Sequence, residues 1–335
     1  MPTAERSILI IRYSSIGDVI LIAPLIAQLR RKYPDAYIAL LTYTSPSELF
    51  RDDKRLSRVF AVKKRRLCND PILTEKRWDL VADLQNNRHS TRQTKLLNYE
   101  ELRRFDKLHA KRTLLLFFRL NRYSPLEHIA ARYIRAGDDE VCLQLDYSIP
   151  FIGGETERFR EMLQQDGIER PVAALMPFCA WKNKEWREKY YITLGHFFII
   201  KGWNVVILGG KADRDRAERM RRAIGHRSIS LAGRLSLYEC GCVLRLCSLA
   251  LGGDTGLSHL ARACGIKTGF IFGPTTEHFG FMPEGDEECR VFERQLFCRP
   301  CHPHGGNFCW RLNHACMAGI LPDEVICGLM DLFHG

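Results

Sequence analysis

Short apolar runs alternate along the chain with stretches in which apolar residues recur every three or four positions. The runs are typical of buried β-strands, and the longer spacing is typical of amphipathic helices. The predicted strands are Ser7–Arg12, Tyr37–Thr42, Arg58–Val62, Asp79–Leu84, Val172–Met176, Asn204–Leu208, Ile229–Leu231, Leu249–Gly252 and Thr268–Phe272. Helices are predicted to begin near Asp18, Ser45, Leu73, Trp186, Asp213 and Ser236. Such alternation predicts parallel sheets covered by helices.

A break in this pattern divides the chain into two parts. One proline and two glycines interrupt both periodicities in Asp146–Glu157, which we interpret as a linker. We therefore predict an α/β protein of two doubly wound, Rossmann-like domains that face a central cleft. The domains span residues 1–150 and 151–320, and a helix follows at 321–335. Ligands of such sheets bind beyond the carboxyl ends of the strands, so the loops at those ends are the ones to inspect.

Composition adds expectations about the class of protein. The chain has 335 residues, is 46% hydrophobic and carries a net charge of +11, as soluble globular proteins do. Its longest uncharged apolar run, Val19–Gln28, is too short to span a bilayer. No secretory signal is recognisable at the N-terminus, so we expect a cytoplasmic protein. The 13 cysteines are an odd number in such a chain, which disfavours a disulfide framework.

The positive charge is concentrated between Arg51 and Arg135. Such a field indicates an anionic partner, such as nucleic acid, a phospholipid surface or a phosphorylated substrate, or else a solvated face that keeps the protein soluble. Within it, Lys107–Tyr123 places an apolar run between clusters of bases. This arrangement is typical of segments at a membrane interface, although an ordinary buried helix or strand has the same composition.

Three loops of the second half have residues suited to a phosphate or a nucleotide. In Leu249–Gly265, a strand ends in two glycines, and Asp254 and Thr255 stand where a helix begins, which suits either a phosphate site or a plain turn. No GxGxxG or P-loop motif is present. Lys184 could reach a phosphate or be a surface lysine. Asp213 could bind a ribose or cap a helix.

Taken together, the loops resemble one family over nearly the whole chain. The stretches SSIGDVILIAPLIAQLRRKYP, VADLQNNRHSTR, KEW, LGGKADRDRAE, LAGRLSLYE, GGDTGLSHLARACG and FGPTTEHFG stand in the order and spacing of the lipopolysaccharide heptosyltransferases of glycosyltransferase family 9. The resemblance implies a GT-B fold, with an acceptor domain followed by a nucleotide-sugar domain. It also implies inverting heptose transfer from ADP-heptose, without a catalytic metal. The implied acceptor is the anionic lipid A–Kdo inner core at the cytoplasmic face of the inner membrane.

The same resemblance assigns roles to individual residues. Asp18 matches the catalytic base, which suits a carboxylate that must take a proton from an acceptor hydroxyl. The implied donor and phosphate residues are Lys184, Asp213, Asp254, Thr255, Gly256, Leu257 and His259. The acceptor-side candidates are Ser14, Ser15, Gly17, Gln85 and Arg88. One position departs from the family, because Cys179 and Ala180 stand where relatives commonly have hydroxyl residues, and this leaves the donor sugar open.

The segment from Cys298 to Cys316 reads CRPCHPHGGNFCWRLNHAC. Cys298, Cys301, Cys309 and Cys316 could hold a structural zinc or iron, form a reduced cluster beneath the last helix, or pair in a disulfide. Tails of many relatives are similar, and some related autotransporter heptosyltransferases bind iron through them. None of these interpretations makes the tail catalytic.

Two other functions remain as hypotheses. A member of the same family could use another nucleotide sugar, or another acceptor such as an O-antigen unit or a protein. A nucleic-acid-binding protein with a metal ribbon would also combine basic charge with cysteines. We expect no nucleic-acid partner, because the bases are not interleaved with a recognisable RNA-binding motif.

Overall fold

A computed structural model describes residues 6–124, 126–140, 145–151, 153–283 and 285–334. The chain divides into two compact units. Unit 1 comprises Met1–His109 and Ile129–Pro150, and unit 2 comprises Ala110–His128 and Phe151–Gly335. The two doubly wound α/β folds predicted from the apolar pattern are confirmed, since each unit contains one parallel sheet with helices.

Unit 1 is built on a five-stranded sheet whose strands are all parallel. Its strands are β1 (Ser7–Ile11), β2 (Tyr37–Tyr43), β3 (Arg58–Val62), β4 (Arg77–Asp83) and β5 (Asn98–Arg104). They are arranged in the order β3-β2-β1-β4-β5. The helices of this half of the chain are α1 (Ile16–Ile20), α2 (Ala23–Lys32), α3 (Thr44–Ser47), α4 (Pro71–Glu75), α5 (Arg88–Thr94), α6 (His109–Phe118) and α7 (Ile129–Gly137). The central strand β1 is buried at every position, and four of its five residues are apolar.

Unit 2 is built on a six-stranded parallel sheet. Its strands are β6 (Val172–Met176), β7 (Asn204–Ile207), β8 (Ser228–Ser230), β9 (Leu249–Gly253), β10 (Lys267–Ile271) and β11 (Cys289–Phe292). They are arranged in the order β11-β10-β9-β6-β7-β8. The helices are α8 (Gly153–Gln165), α9 (Glu188–Ile200), α10 (Arg214–Ile224), α11 (Leu237–Leu244), α12 (Gly256–Ala263), α13 (Ala315–Ala318) and α14 (Pro322–His334). The helix predicted to begin near Ser236 is α11, and Ser236 and Glu239 form a capping box there through reciprocal hydrogen bonds.

Several elements differ from the pattern-based expectations. The helix expected from Asp18 is two helices, α1 and α2, with Pro24 in the first turn of the second. Helix α8 begins inside the expected linker. Lys107–Tyr123 contains α6, on which only Leu115 is buried, so the alternative of an ordinary buried helix or strand is wrong. None of the helices in the described ranges has the length and apolarity needed to cross a bilayer.

Candidate functional site

The loops with Asp18, Lys184 and Asp254 lie at the points where the strand order of a sheet reverses, whereas the loop with Asp213 follows β7. In unit 1 this point lies between β1 and β4, and in unit 2 it lies between β6 and β9. The loop with Asp18 follows β1, the loop with Lys184 follows β6, and the loop with Asp254 follows β9. Crevices at such switch points are the usual ligand sites of open α/β sheets. Each unit therefore has its candidate residues at the edge where a ligand is expected.

Asp18 is the centre of a hydrogen-bonded cluster in unit 1. Its Oδ1 atom accepts a 2.7 Å hydrogen bond from the hydroxyl of Tyr133 and forms a 2.6 Å ion pair with Nη2 of Arg12. Its Oδ2 atom accepts from the backbone N–H and the hydroxyl of Ser15, at 3.0 and 2.7 Å. Only 14% of the Asp18 side chain is exposed. Asp18 therefore takes part in the capping box at the start of α1 and also forms an ion pair with Arg12.

These partners decide the ionisation of the carboxyl. Burial works to raise the pKa of Asp18, but the positive charge of Arg12 and the hydrogen bonds from Ser15 and Tyr133 outweigh it, so the pKa lies below its usual value. Asp18 is therefore ionised at neutral pH. Neither Arg12 nor Tyr133 was singled out from the sequence. Arg12 has a signal there, as a base that directly follows the apolar run Ile8–Ile11, whereas Tyr133 has none.

The acceptor-side candidates lie around this cluster with different roles. Gln85 is buried, and its Oε1 accepts hydrogen bonds from the backbone N–H groups of Tyr13 and Ser14, at 2.9 and 3.1 Å. It therefore holds the loop that precedes Asp18. Gly17 is buried in α1, Ser14 is half-buried, Ser15 is exposed, and Arg88 is exposed at the start of α5.

A buried carboxyl supports the loop that bears Gln85. Asp83, at the end of β4, accepts hydrogen bonds from the N–H groups of Gln85 and Asn86 and from the hydroxyl of Ser90. Burial raises the pKa of Asp83, although these donors and Arg104 act in the opposite direction. The Asp83 side chain thus fixes the β4–α5 loop through these hydrogen bonds.

In unit 2, Lys184 and Asp254 form an ion pair between the loops after β6 and β9. The ammonium group of Lys184 contacts Oδ2 of Asp254 and donates to the Asp254 carbonyl at 3.2 Å. His259 on α12 stands with Nε2 3.4 Å from Oδ1 of Asp254. Burial opposes ionisation of Asp254, but Lys184 and His259 hold its pKa well below the usual value. The structure thus brings three of the predicted donor residues together.

The other residues of the loop after β9 shape the start of α12. Thr255 occupies the N-cap position, although its side chain makes no capping hydrogen bond, and Gly256 and Leu257 form the first turn, half-buried. The loop lies tightly on its neighbours, because a Cβ on Gly253 would meet Sγ of Cys179 at 2.9 Å. The Thr255 side chain therefore does not cap the backbone N–H groups of this turn.

Asp213 lies apart from the ion pair and has a local partner. Its Oδ2 accepts a 2.9 Å hydrogen bond from the backbone N–H of Gly210, at the turn that precedes α10. The side chain remains half-exposed. This contact is of the kind expected from the helix-cap interpretation.

The cysteine tail supports the lysine loop, a relationship that the sequence did not predict. Asn183 and Gly306 are joined by two hydrogen bonds, from the Asn183 N–H to the Gly306 carbonyl and from the Gly306 N–H to the Asn183 side chain. Gly305 has φ +100°, and a Cβ there would lie 2.9 Å from both Lys184 Cδ and Trp181 Cβ. Only glycine fits such a position. The two adjacent glycines in the HGG sequence at 304–306 are the sequence feature that could have indicated this close backbone contact.

The tail cysteines do not form the metal site that their spacing suggested. Cys298, Cys301, Cys309 and Cys316 are all free thiols, so no tail disulfide is present. Within the described ranges, no group of three or more His, Cys, Asp or Glu side chains is arranged to hold a metal ion. The thiols still lie near one another. Burial raises the pKa of the Cys316 thiol to about 11, and the neighbouring Cys301 contributes to that rise. The interpretation that fits these residues is a cluster of reduced cysteines.

Comparisons with known proteins identify the family and the fold of the chain. Residues 71–303, more than half of the chain, match Glycosyltransferase family 9 (heptosyltransferase). Lipopolysaccharide heptosyltransferase 1 of Pseudomonas aeruginosa is 27% identical over 289 residues, which are 81% of this chain and 80% of the relative. Among solved structures, E. coli ADP-heptose lps heptosyltransferase II has a TM-score of 0.75 at 20% identity, with 98% of each chain covered.

A second solved structure has a similar fold. E. coli heptosyltransferase WaaC with ADP-2-deoxy-2-fluoro heptose has a TM-score of 0.69 at 19% identity, covering 97% of this chain and 99% of that one. Since both identities are low, these two structures establish the fold alone.

Proposed function

The chain belongs to glycosyltransferase family 9, the heptosyltransferases, and from this premise we propose that it transfers heptose from ADP-heptose to the inner core of lipopolysaccharide. The observation that carries the proposal is the ionised, partly exposed carboxylate of Asp18 at the switch point of unit 1. Such a group can take a proton from an acceptor hydroxyl. The relatives described above support the choice of sugar, donor and acceptor.

In the proposed reaction, the acceptor oxygen forms a bond to the anomeric carbon of heptose while the bond from that carbon to the diphosphate oxygen breaks. The proton of the acceptor hydroxyl passes to Asp18, and the electron pair leaves with ADP. Attack opposite to the leaving group inverts the anomeric carbon. A positioned general base contributes roughly 10² to 10⁴ to the rate of such a step.

The hydrogen bonds of Asp18 indicate which oxygen receives the proton. An ionised carboxylate offers about four acceptor positions, and Arg12, Tyr133 and two groups of Ser15 occupy Asp18. Only the Ser15 hydroxyl belongs to an exposed residue and can rotate away without moving the backbone. We therefore assign the proton transfer to Oδ2, with the acceptor hydroxyl taking the place of the Ser15 hydroxyl.

Unit 2 is assigned the donor. Lys184 supplies a positive charge, and the amides at the start of α12 add the partial charge of a helix N-terminus. A diphosphate would compete with Asp254 for the ammonium group of Lys184. His259 could keep Asp254 hydrogen-bonded when Lys184 contacts the diphosphate. The solved structure of WaaC with a fluorinated ADP-heptose supports a nucleotide sugar as the ligand of this fold.

The acceptor defines where the protein works. An anionic lipid A–Kdo glycolipid would draw the protein to the cytoplasmic face of the inner membrane, and the basic charge between Arg51 and Arg135 is suited to it. We propose peripheral association, without a spanning helix.

A second candidate, a family member that uses another nucleotide sugar, is favoured by one observation. The Cys179 thiol, whose pKa burial raises to about 12, donates to the Lys184 carbonyl at a position where a hydroxyl contact to the donor would be expected.

The test is ADP release from a panel of nucleotide sugars in the presence of defined truncated cores. We expect ADP-heptose to react only when a heptose-deficient acceptor is present. Asp18→Asn should lower kcat by roughly 10² to 10⁴ and leave ADP affinity unchanged, because Lys184 and Asp254 lie in the other unit. Asp35→Asn, which removes an exposed carboxylate, is the matched control. Unchanged turnover in the Asp18 variant, or release of ADP from a different sugar only, would contradict the assignment.

A further inference from the structure

Two exposed segments of unit 2 present large apolar side chains to solvent. On α6, Phe117 is 78% exposed and Phe118 is exposed beside it, while only Leu115 of that helix is buried. In the cysteine tail, Phe297 is 74% exposed, and Phe308 and Trp310 are also exposed. Soluble proteins rarely expose contiguous apolar patches unless the patch contacts a partner or a membrane.

One arginine connects the two segments. Arg119, the residue after Phe118, donates hydrogen bonds to the carbonyls of Cys298 and Pro300, and Cys298 directly follows Phe297. Two of the tail rings also lie side by side, since the ring centroids of Phe297 and Trp310 are 6.5 Å apart. We call Phe117, Phe118, Phe297, Phe308 and Trp310 the aromatic surface.

The two segments that carry the aromatic surface contain basic residues and no acidic ones. Residues 110–123 contain Lys111, Arg112, Arg119 and Arg122 and no acidic residue, and residues 297–312 likewise contain no Asp or Glu. The guanidinium of Arg311 lies 4.6 Å from the centroid of the Phe297 ring, which places a positive charge against the apolar surface. Aromatic rings bordered by bases suit the boundary between headgroups and acyl chains.

From this geometry we infer that the aromatic surface is a membrane-contact surface for an anionic lipid bilayer. Phe117 and Phe118 would enter the interface from α6, and Phe297, Phe308 and Trp310 would enter from the tail. The excess of basic residues in both segments favours an anionic bilayer over a second copy of this chain, because two such segments would repel each other. The tail cysteines thus lie in a segment that exposes aromatic residues and also contacts the Lys184 loop through Gly305 and Gly306. The inference gives a location to the membrane contact that the proposed function includes.

The experiment is cosedimentation of the full chain with vesicles of equal parts phosphatidylcholine and phosphatidylglycerol, compared with vesicles of phosphatidylcholine alone. We expect binding to the anionic vesicles that weakens as salt is added. The pairs Phe117→Ser with Phe118→Ser, and Phe308→Ser with Trp310→Ser, should each weaken partitioning on the order of tenfold or more. Ile200→Ser, which removes an 82% exposed side chain from α9 of the same unit, should have no effect.

Fluorescence reports which part of the chain enters the bilayer. The wild type should show a blue shift of tryptophan emission with anionic vesicles, and Trp310→Phe should bind equally well without that shift. Circular dichroism and thermal denaturation check that each variant is folded. Equal binding by the double variants and Ile200→Ser, or the absence of any binding, would overturn the inference. So would a wild-type oligomer that the double variants dissociate while vesicle binding stays the same, since the surface would then join two copies.

Turnover of a water-soluble, deacylated acceptor separates this inference from the proposed function. The double variants should retain that turnover. Vesicle binding without any transfer would overturn the proposed function alone, and transfer without vesicle binding would overturn the membrane surface alone.

Discussion

The hydroxyl of Tyr133 donates a 2.7 Å hydrogen bond to Oδ1 of Asp18, across 115 positions of the sequence. Arg12 contacts the same oxygen, and its guanidinium lies 5.2 Å from the Tyr133 ring centroid. One face of the carboxylate is therefore fixed by buried partners, while Ser15 holds the other. Tyr133 is a positioning residue under the proposed function, since it acts through Asp18.

Tyr133→Phe is expected to change the pH dependence of turnover. The hydrogen bond from Tyr133 lowers the pKa of Asp18, so its removal should raise that pKa. A base must be ionised to act, so the acidic limb of the kcat/KM profile should move to higher pH. We expect kcat to fall on the order of tenfold, since one hydrogen bond to a charged group is worth about 1.5–3 kcal/mol. An acidic limb that does not move would assign Tyr133 a purely structural role.

Tyr190→Phe is the control for that measurement. It removes a partly buried hydroxyl that donates to the Ala318 carbonyl at 3.2 Å in unit 2, far from Asp18 along the chain. Its stability cost should resemble that of Tyr133→Phe, but the pH profile should stay that of the wild type.

Gly305→Ala is expected to weaken ADP binding. The added Cβ would press on Lys184 Cδ and Trp181 Cβ, and the φ of +100° is unfavourable for alanine. Gly167→Ala is the matched control, because Gly167 has φ +72° and no atom within 4 Å of an added Cβ. Both variants should lose on the order of 1 kcal/mol of stability, measured by urea denaturation. Calorimetric titration should show weaker ADP binding for Gly305→Ala only, and equal affinities would contradict a role of the tail in the lysine loop.

Asp254→Asn should lower the free energy of unfolding in a pH-dependent way. The pKa of Asp254 is depressed in the folded state, so its contribution to stability is present above the unfolded value of about 3.9 and is lost as the pH falls toward the folded value. We expect a loss of about 3 kcal/mol at neutral pH, because Lys184 would be left unpaired in a largely buried place. Urea denaturation of both proteins between neutral and acidic pH measures the difference.

Glu157→Gln is the control for Asp254→Asn. Glu157 forms a 3.4 Å pair with Arg160 in which both side chains are about half exposed, and such pairs contribute little. A neutral-pH difference for Asp254→Asn that persists unchanged in acid would contradict the assigned ionisation.

Chelation is expected to leave the stability of the protein unchanged. Structural metal sites contribute directly to folding, but in the described part of the chain the tail cysteines are free and no suitable ligand group exists. Thermal denaturation before and after EDTA treatment, with elemental analysis of the purified protein, measures this. Stoichiometric zinc or iron, together with a lower Tm after chelation, would contradict the thiol cluster.

Most of the strands that the sequence predicted are buried. β1, β6 and β9 are buried at every position and consist almost entirely of residues without polar side chains, so they stand out. β5 and β11 were missed. Both are edge strands, and β5 (NYEELRR) is mostly charged and partly exposed, whereas the edge strand β3 (RVFAV) is mostly apolar and was predicted. Edge strands commonly carry charge, which blocks pairing with other chains. Periodicity cannot separate such a segment from a polar loop.

The site was predictable wherever a strand end and a residue type coincide. Asp18, Lys184 and Asp254 each follow a buried strand, so topology alone places them at a switch point. Their partners could not be found in this way. Tyr133 reaches Asp18 from a distant helix, and Gly305 supports Lys184 from the far end of unit 2. Such contacts depend on packing between elements, which local patterns do not encode.

The chain leaves unit 1 after His109 and returns to it at Ile129. The returning helix α7 brings Tyr133 to Asp18, and Asp138 directly after it pairs with Lys32 on α2 at 2.7 Å. A recombinant fragment that stops at His109 would therefore expose one side of α2 and lack part of the charge network of the base. On the ribosome, too, Asp18 is synthesised early but acquires its complete surroundings only after α7 has emerged.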